Sequence, residues 1–133
     1  TMQIHQSAED YLETILMLSQ RMGKVRSIDV VNELGFTKAS VSIAMKKLRE
    51  NGYIAVDGEG NLTLLEPGRA IAERIYSRHR LLTHFFVQLG VDEAIAAEDA
   101  CKAEHILSEQ TLEKIREYAL LHDAQDSVKP QGE

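Results

Sequence analysis

"SIDVVNELGFTKASVSIAMKKLRENGYIAVDGEGNLTLL", Ser27 to Leu65, decides the fold of this chain. It opens as a short helix, with Ser27 placed to cap the N-terminus and Gly35 placed to stop it. A second helix follows at once, capped by Thr37 and ended by Gly52. Val41, Ala44, Met45 and Leu48 fall on one side of it, and Lys38, Ser42, Lys46 and Arg49 on the other. Two β-prone runs then flank Asp57, Gly58, Glu59, Gly60 and Asn61, a glycine-rich turn that makes a hairpin. Two helices around a tight "LGFT" link, followed by a hairpin, give the order of a helix-turn-helix with a wing.

That order predicts an interaction with double-stranded DNA. The second helix must lock its apolar stripe to the body while its polar N-terminal half enters a major groove. Thr37, Lys38, Ala39, Ser40 and Ser42 stand there to meet base edges and phosphates. Lys46, Lys47 and Arg49 lie further along and suit the phosphate backbone. Charge agrees: Arg21 to Glu50 holds seven Lys/Arg against three Asp/Glu. The bland alternative is a solvated basic surface on a small module. The hairpin tip carries Glu59 and no cation, so it is a weak electrostatic wing.

Helices flank this segment. "SAEDYLETILMLSQR" starts at Ser7, a candidate N-cap with Asp10 three positions on, and continues through Leu12, Ile15 and Leu16. "EPGRAIAERIYSRHRLLTHFFVQLG" is a long helix with Pro67 near its start and Gly90 at its end. Its apolar stripe is Ile71, Ile75, Leu82, Phe85, Phe86 and Leu89. Two more helices follow, capped by Asp92 and Ser108, and the polar segment from His122 is expected to fray. The expected fold is therefore mainly α with a small β-hairpin. A winged helix-turn-helix domain would occupy residues 1–66, a helical domain 67–121 and a flexible tail 122–133.

Composition sets the class. With 133 residues, 44% of them hydrophobic, the chain can build one core or two small ones. A single cysteine excludes an internal disulfide framework. No apolar run approaches a membrane span and no secretory pattern opens the chain, so a cytoplasmic protein with no membrane partner is expected. Asp92 to Asp126 carries ten acidic residues against three basic ones, so the two halves have opposite charge and suggest two tasks.

The second task is legible in "CKAEHILSE", Cys101 to Glu109. On a continuous helix Cys101, Glu104 and His105 share a face. Asp10 and Glu13 are similarly spaced on the first helix, and His79 lies on the long fourth one. Thiolate, imidazole and carboxylate together suit a first-row divalent transition metal better than magnesium or calcium. Each residue also has an ordinary role: a capping aspartate, a solvated glutamate, a hydrogen-bonded core histidine, a small buried cysteine. A Cys–His nucleophile would need an orienting third group and an oxyanion site, and no glycine-rich elbow lies near Cys101. An enzyme is not expected.

"EDYLETI", "RHRLL" and "AEHILSE", in that order and spacing, resemble the diphtheria toxin repressor family of metal-dependent regulators, most closely its short manganese-responsive MntR-type branch. The resemblance implies metal ligands at Asp10, Glu13, His79, Cys101, Glu104 and His105. Cys101 departs from the manganese branch, which has glutamate there, and matches the iron-responsive branch. That branch typically has methionine at the position of Asp10, and two of its other ligands fall here on Ala97 and Thr83. The ligand set is thus a hybrid, and losing a bridging carboxylate at position 101 weakens the case for two metals. One site from Asp10, Cys101, Glu104 and His105 is expected, with Glu13 and His79 completing a second, weaker one. The implied cofactor is Mn2+ or Fe2+, with Co2+, Ni2+ or Zn2+ acceptable in vitro. The implied protein is a homodimeric repressor acting on operators of metal-homeostasis genes. The rival is a winged-helix regulator that senses a small organic ligand or a partner without metal.

Overall fold

Residues 6–127 are described by the structure, a computed structural model. In chain order they form α1 (Gln6–Met22), β1 (Val25–Arg26), α2 (Ser27–Leu34), α3 (Lys38–Glu50), β2 (Ile54–Val56), β3 (Asn61–Leu64), α4 (Glu66–Gln88), α5 (Glu93–Ala103) and α6 (Glu109–Ser127). These divide into two compact units between Ile75 and Tyr76, within α4. The domain boundary expected at 66/67 falls at the start of α4.

The first unit is a three-helix arrangement closed by a small sheet. α1 buries Leu12, Ile15, Leu16 and Leu18, and α2 and α3 add Val30, Val41, Met45 and Leu48. α1 packs on α2, α3 and β3, while α3 packs on β2. The sheet is antiparallel in the order β1-β3-β2, with Val25 opposite Leu62 and Ile54 opposite Leu64. Leu62 and Leu64 are buried and Thr63 between them is exposed, the period-two alternation of a half-buried strand. The expected hairpin is β2–β3; the extra strand β1 was not anticipated. Two residues show no pattern of their own, and β1 exists because its partner strand offers a free edge.

Turn chemistry follows the sequence closely at most junctions. Gly35 takes the left-handed conformation at φ 71° and donates to Val31 O, closing α2. Thr37 Oγ1 accepts the Ser40 amide at 3.1 Å and caps α3. Two expected caps are corrected. Ser7 lies inside α1, which begins at Gln6. Arg26, not Ser27, is the N-cap of α2; its amide donates to Asp29 Oδ2 at 2.9 Å, and Ser27 is the first helical residue. Gly68 is required where α4 meets the hairpin. A Cβ there would stand 2.2 Å from the Tyr53 carbonyl oxygen, which already accepts the Leu65 amide at 3.0 Å.

The second unit builds a smaller core. Leu82, Ala100 and Leu112 are buried, surrounded by Leu81, Phe86, Ala103, Leu107 and Ile115. Ser108 Oγ accepts the Thr111 amide at 3.1 Å and caps α6 as expected. Leu89, read as part of the apolar stripe, follows the end of α4 and is exposed.

α6 continues to Ser127, past His122, where the polar tail was expected to begin. Its extra turn is held by side chains that polarity alone does not reveal. His122 stacks on Tyr118, and Asp123 pairs with His84 and accepts from Gln88 Nε2 at 2.8 Å. Residues 128–133 of the expected tail lie outside the described residues. Among the described residues no helix is long and apolar enough to cross a membrane.

Candidate functional site

The first unit presents α3. Thr37, Lys38, Ala39, Ser40, Ser42, Lys46 and Lys47, all expected to meet DNA, are all exposed. Val41, Met45 and Leu48 hold the opposite side in the core. The Thr37 and Ser40 hydroxyls also lie 2.5 Å apart, which ties the first turn together. Beside this face a shallow depression of about 260 Å³ is lined by Ser27, Ser42, Met45, Lys46, Arg49 and Val56. Two cations and two hydroxyls at one rim suit a phosphate. The turn between β2 and β3 is rigidified from within. Asp57 Oδ1 accepts the Glu59 and Asn61 amides, both at 2.9 Å, and Asp57 Oδ2 accepts Asn61 Nδ2 at 3.0 Å. The bonds from Asn61 hold the Asp57 carboxyl below its ordinary range. The Arg26 guanidinium donates to Glu59 O and straps β1 to the turn.

Also in this unit, Glu13 is only 5% exposed, which removes the solvated-glutamate reading. It sits among Leu12, Thr14, Ile15 and Leu16 on the buried run of α1. Asp10 is half-buried. Burial first, and the Asp10 carboxylate second, push the Tyr11 phenol above its ordinary value.

The second unit gathers His79, Glu104 and His105. His79 Nδ1 lies 3.1 Å from Glu104 Oε2, and His105 Nε2 lies 3.5 Å from Glu104 Oε1. The Glu104 side chain is wholly buried and that of His105 is 2% exposed. Each carboxylate oxygen thus faces a different imidazole. Oε1 accepts no hydrogen bond, although buried carboxylate oxygens normally do. Such a group is costly to bury unless a cation or donors compensate it.

The premise that Cys101, Glu104 and His105 share one helical face needs correction. α5 ends at Ala103, with Glu104 as its C-cap donating to Ala100 O at 2.9 Å. The chain then tightens, with the Ile106 amide bonding Ala103 O at 3.1 Å. His105 therefore leaves the helix, and Cys101 is exposed while Glu104 is buried. Arg78, which the spacing argument missed, secures this turn: its Nη1 donates to Glu104 O at 3.2 Å and its Nη2 pairs with Glu109. Its place immediately before His79 was the only available signal.

Residues 3–62 match the family "iron dependent repressor, N-terminal DNA binding domain", and residues 65–124 match "iron dependent repressor, metal binding and dimerisation domain". The chain is 35% identical to an uncharacterised HTH-type transcriptional regulator of Methanocaldococcus jannaschii, over 84% of this chain and 90% of that one. It is 32% identical to the HTH-type transcriptional regulator MntR of Bacillus subtilis, over 92% and 87%. A solved manganese-dependent transcriptional repressor in complex with manganese superposes with a TM-score of 0.76 at 30% identity. That match covers 84% of this chain and 52% of the other. The chain spans about half the length of two solved manganese regulators it matches, 54% and 52%.

Proposed function

The chain belongs to the iron-dependent repressor family, and we propose that it is a homodimeric, metal-dependent transcriptional repressor controlling metal-homeostasis genes. It responds to Mn2+ or Fe2+, binds a double-stranded operator and acts in the cytoplasm. Members of this family regulate transcription, so the chain is a regulator and not an enzyme.

The observation that carries the metal dependence is the buried Glu104 carboxylate, set between His79 and His105 with an oxygen that accepts no hydrogen bond. Two imidazoles and a carboxylate are the donor types a first-row divalent ion prefers. A bound ion would supply the positive charge and coordination that Oε1 lacks. The proposed ligand set is completed by Asp10 and Glu13 of α1 and by Cys101 of α5, as the resemblance implies. Buried Glu13 and half-buried Asp10 add oxygen donors that favour Mn2+ and Fe2+. Exposed Cys101 is the member that would shift preference toward later metals.

Ligands drawn from both units would make the metal a tie between the DNA-reading residues and the dimer-forming ones. Two α3 helices must enter major grooves about one turn, ~34 Å, apart. A dimer that samples this spacing only part of the time binds with an affinity reduced by that fraction. Metal would raise the competent fraction without touching DNA.

The test is a titration of DNA binding at fixed salt, using a metal-stripped sample and a duplex from the chain's own upstream region. Mn2+, anaerobic Fe2+, Co2+ and Zn2+ are compared with chelator. One ion is expected to switch binding on, and Glu104→Ala to abolish the switch. Equal binding in every metal and in chelator would replace this account with a regulator that senses no metal.

A further inference from the structure

Ile43, an apolar residue on α3, stands outside the set of DNA contacts described above. It is 58% exposed on a helix whose buried side is Val41, Met45 and Leu48. It lies two residues from both Val41 and Met45. At about 100° per residue it is therefore roughly 160° around the helix from each, on the side furthest from the core. Ala39, one turn earlier on that side, is exposed too, and Lys46 and Lys47 follow at i+3 and i+4. Single exposed apolar residues are common on protein surfaces. Ile43 differs by its place, at the middle of the outward stripe of the helix that the fold offers to DNA.

Its surroundings name the occupant. Thr37, Lys38, Ser40, Ser42, Lys46 and Lys47, all exposed, bring hydroxyls and cations suited to phosphates and base edges. No second large apolar side chain is exposed on α3, so the surface is too polar for a protein-type hydrophobic interface. The major groove carries one apolar group, the C5 methyl of thymine, and an aliphatic side chain is its complement. We propose that Ile43, supported by Ala39, reads thymine methyl groups in the operator and is a specificity-determining residue of this chain. The inference rests on the DNA-binding role above and adds the base that α3 selects.

The experiment uses the full chain with saturating Mn2+. Duplexes are selected from a randomised pool, and each thymine of the enriched duplex is replaced in turn by deoxyuridine, which removes only the methyl. At one thymine of a half-site the substitution is expected to weaken binding about fourfold, the worth of one methyl group at ~0.8 kcal/mol. Ile43→Ala should bind the thymine and uracil duplexes equally well, and Ile43→Val should keep part of the difference. Uracil tolerated at every position by the unaltered chain would overturn the inference, and that result does not depend on any variant folding. Undiminished discrimination by Ile43→Ala would overturn it too. Failure to enrich any duplex is a different result: it removes the DNA-binding role itself, and the inference with it.

Discussion

Replacing Glu104 by glutamine is the perturbation whose outcome is most specific to this site. The carboxylate is wholly buried, Oε2 is 3.1 Å from His79 Nδ1, and Oε1 accepts no hydrogen bond. An unsatisfied buried acceptor costs about 1–3 kcal/mol, more if charged. Glutamine keeps the shape and removes the charge. The metal-free Glu104→Gln chain is therefore expected to be as stable as the parent, or more stable by up to about 2 kcal/mol. Metal should reverse the order. An ion present at about 100 times its Kd stabilises the parent by roughly 2.7 kcal/mol. In a chain of this size that raises Tm by about 10 °C. Scanning calorimetry of both chains, in chelator and in Mn2+, reads all four values. The variant should gain less than about 2 °C from the metal, a fifth of the parent's shift. Retention of the full shift would show that Glu104 is not a ligand. A metal-free variant melting several degrees below the parent would show that the carboxylate is already compensated without metal.

Three further outcomes follow from other contacts. Arg78→Ala removes the bond to Glu104 O and the Glu109 pair, so Mn2+ affinity measured by calorimetric titration should fall about 10-fold, as for other residues that orient ligands; unchanged affinity would mean the turn holds itself. Gly68→Ala forces a Cβ to 2.2 Å from Tyr53 O and should cost about 1–3 kcal/mol in urea unfolding, whereas an unshifted midpoint would show that α4 can retreat freely. The Asp57 carboxyl is held low by its bonds from Asn61 and Glu59, so its stabilisation of the turn is present above the ordinary range near ~3.9 and is lost as pH falls through the lowered folded value. Protection of the Asn61 amide, its exchange relative to an unstructured chain at the same pH, should fall in that acid range, and in Asp57→Ala it should be low at every pH; protection unaffected by the substitution would refute the capping role.

Residues whose role is local could be read from the sequence. Thr37 caps α3, Gly35 closes α2 in the left-handed region, and the glycine-rich turn after Val56 makes the hairpin, each because a short stretch suffices to determine it. Residues whose role depends on a distant partner could not. β1 is defined by Leu62, thirty-seven positions after Val25, and the last turn of α6 is secured by His84 and Gln88 of α4. The candidate site divides the same way. Spacing placed His79, Glu104 and His105 among the donors, and the second unit brings those three together. Spacing alone could not show that α5 stops at Ala103, so it assigned Cys101 and His105 to a helical face that ends too early. Nor could it single out Arg78, whose partners are 26 and 31 residues away.

The central claim is that metal binding and DNA binding are coupled, and coupling between two sites must be reciprocal. The most direct measurement is the Mn2+ affinity of the full chain with and without a saturating operator duplex, at one salt concentration. The account predicts that DNA tightens Mn2+ binding by the same factor by which Mn2+ tightens DNA binding. A Mn2+ affinity unchanged by the duplex would contradict it, and would leave the His79–Glu104–His105 cluster a structural feature with no part in the switch.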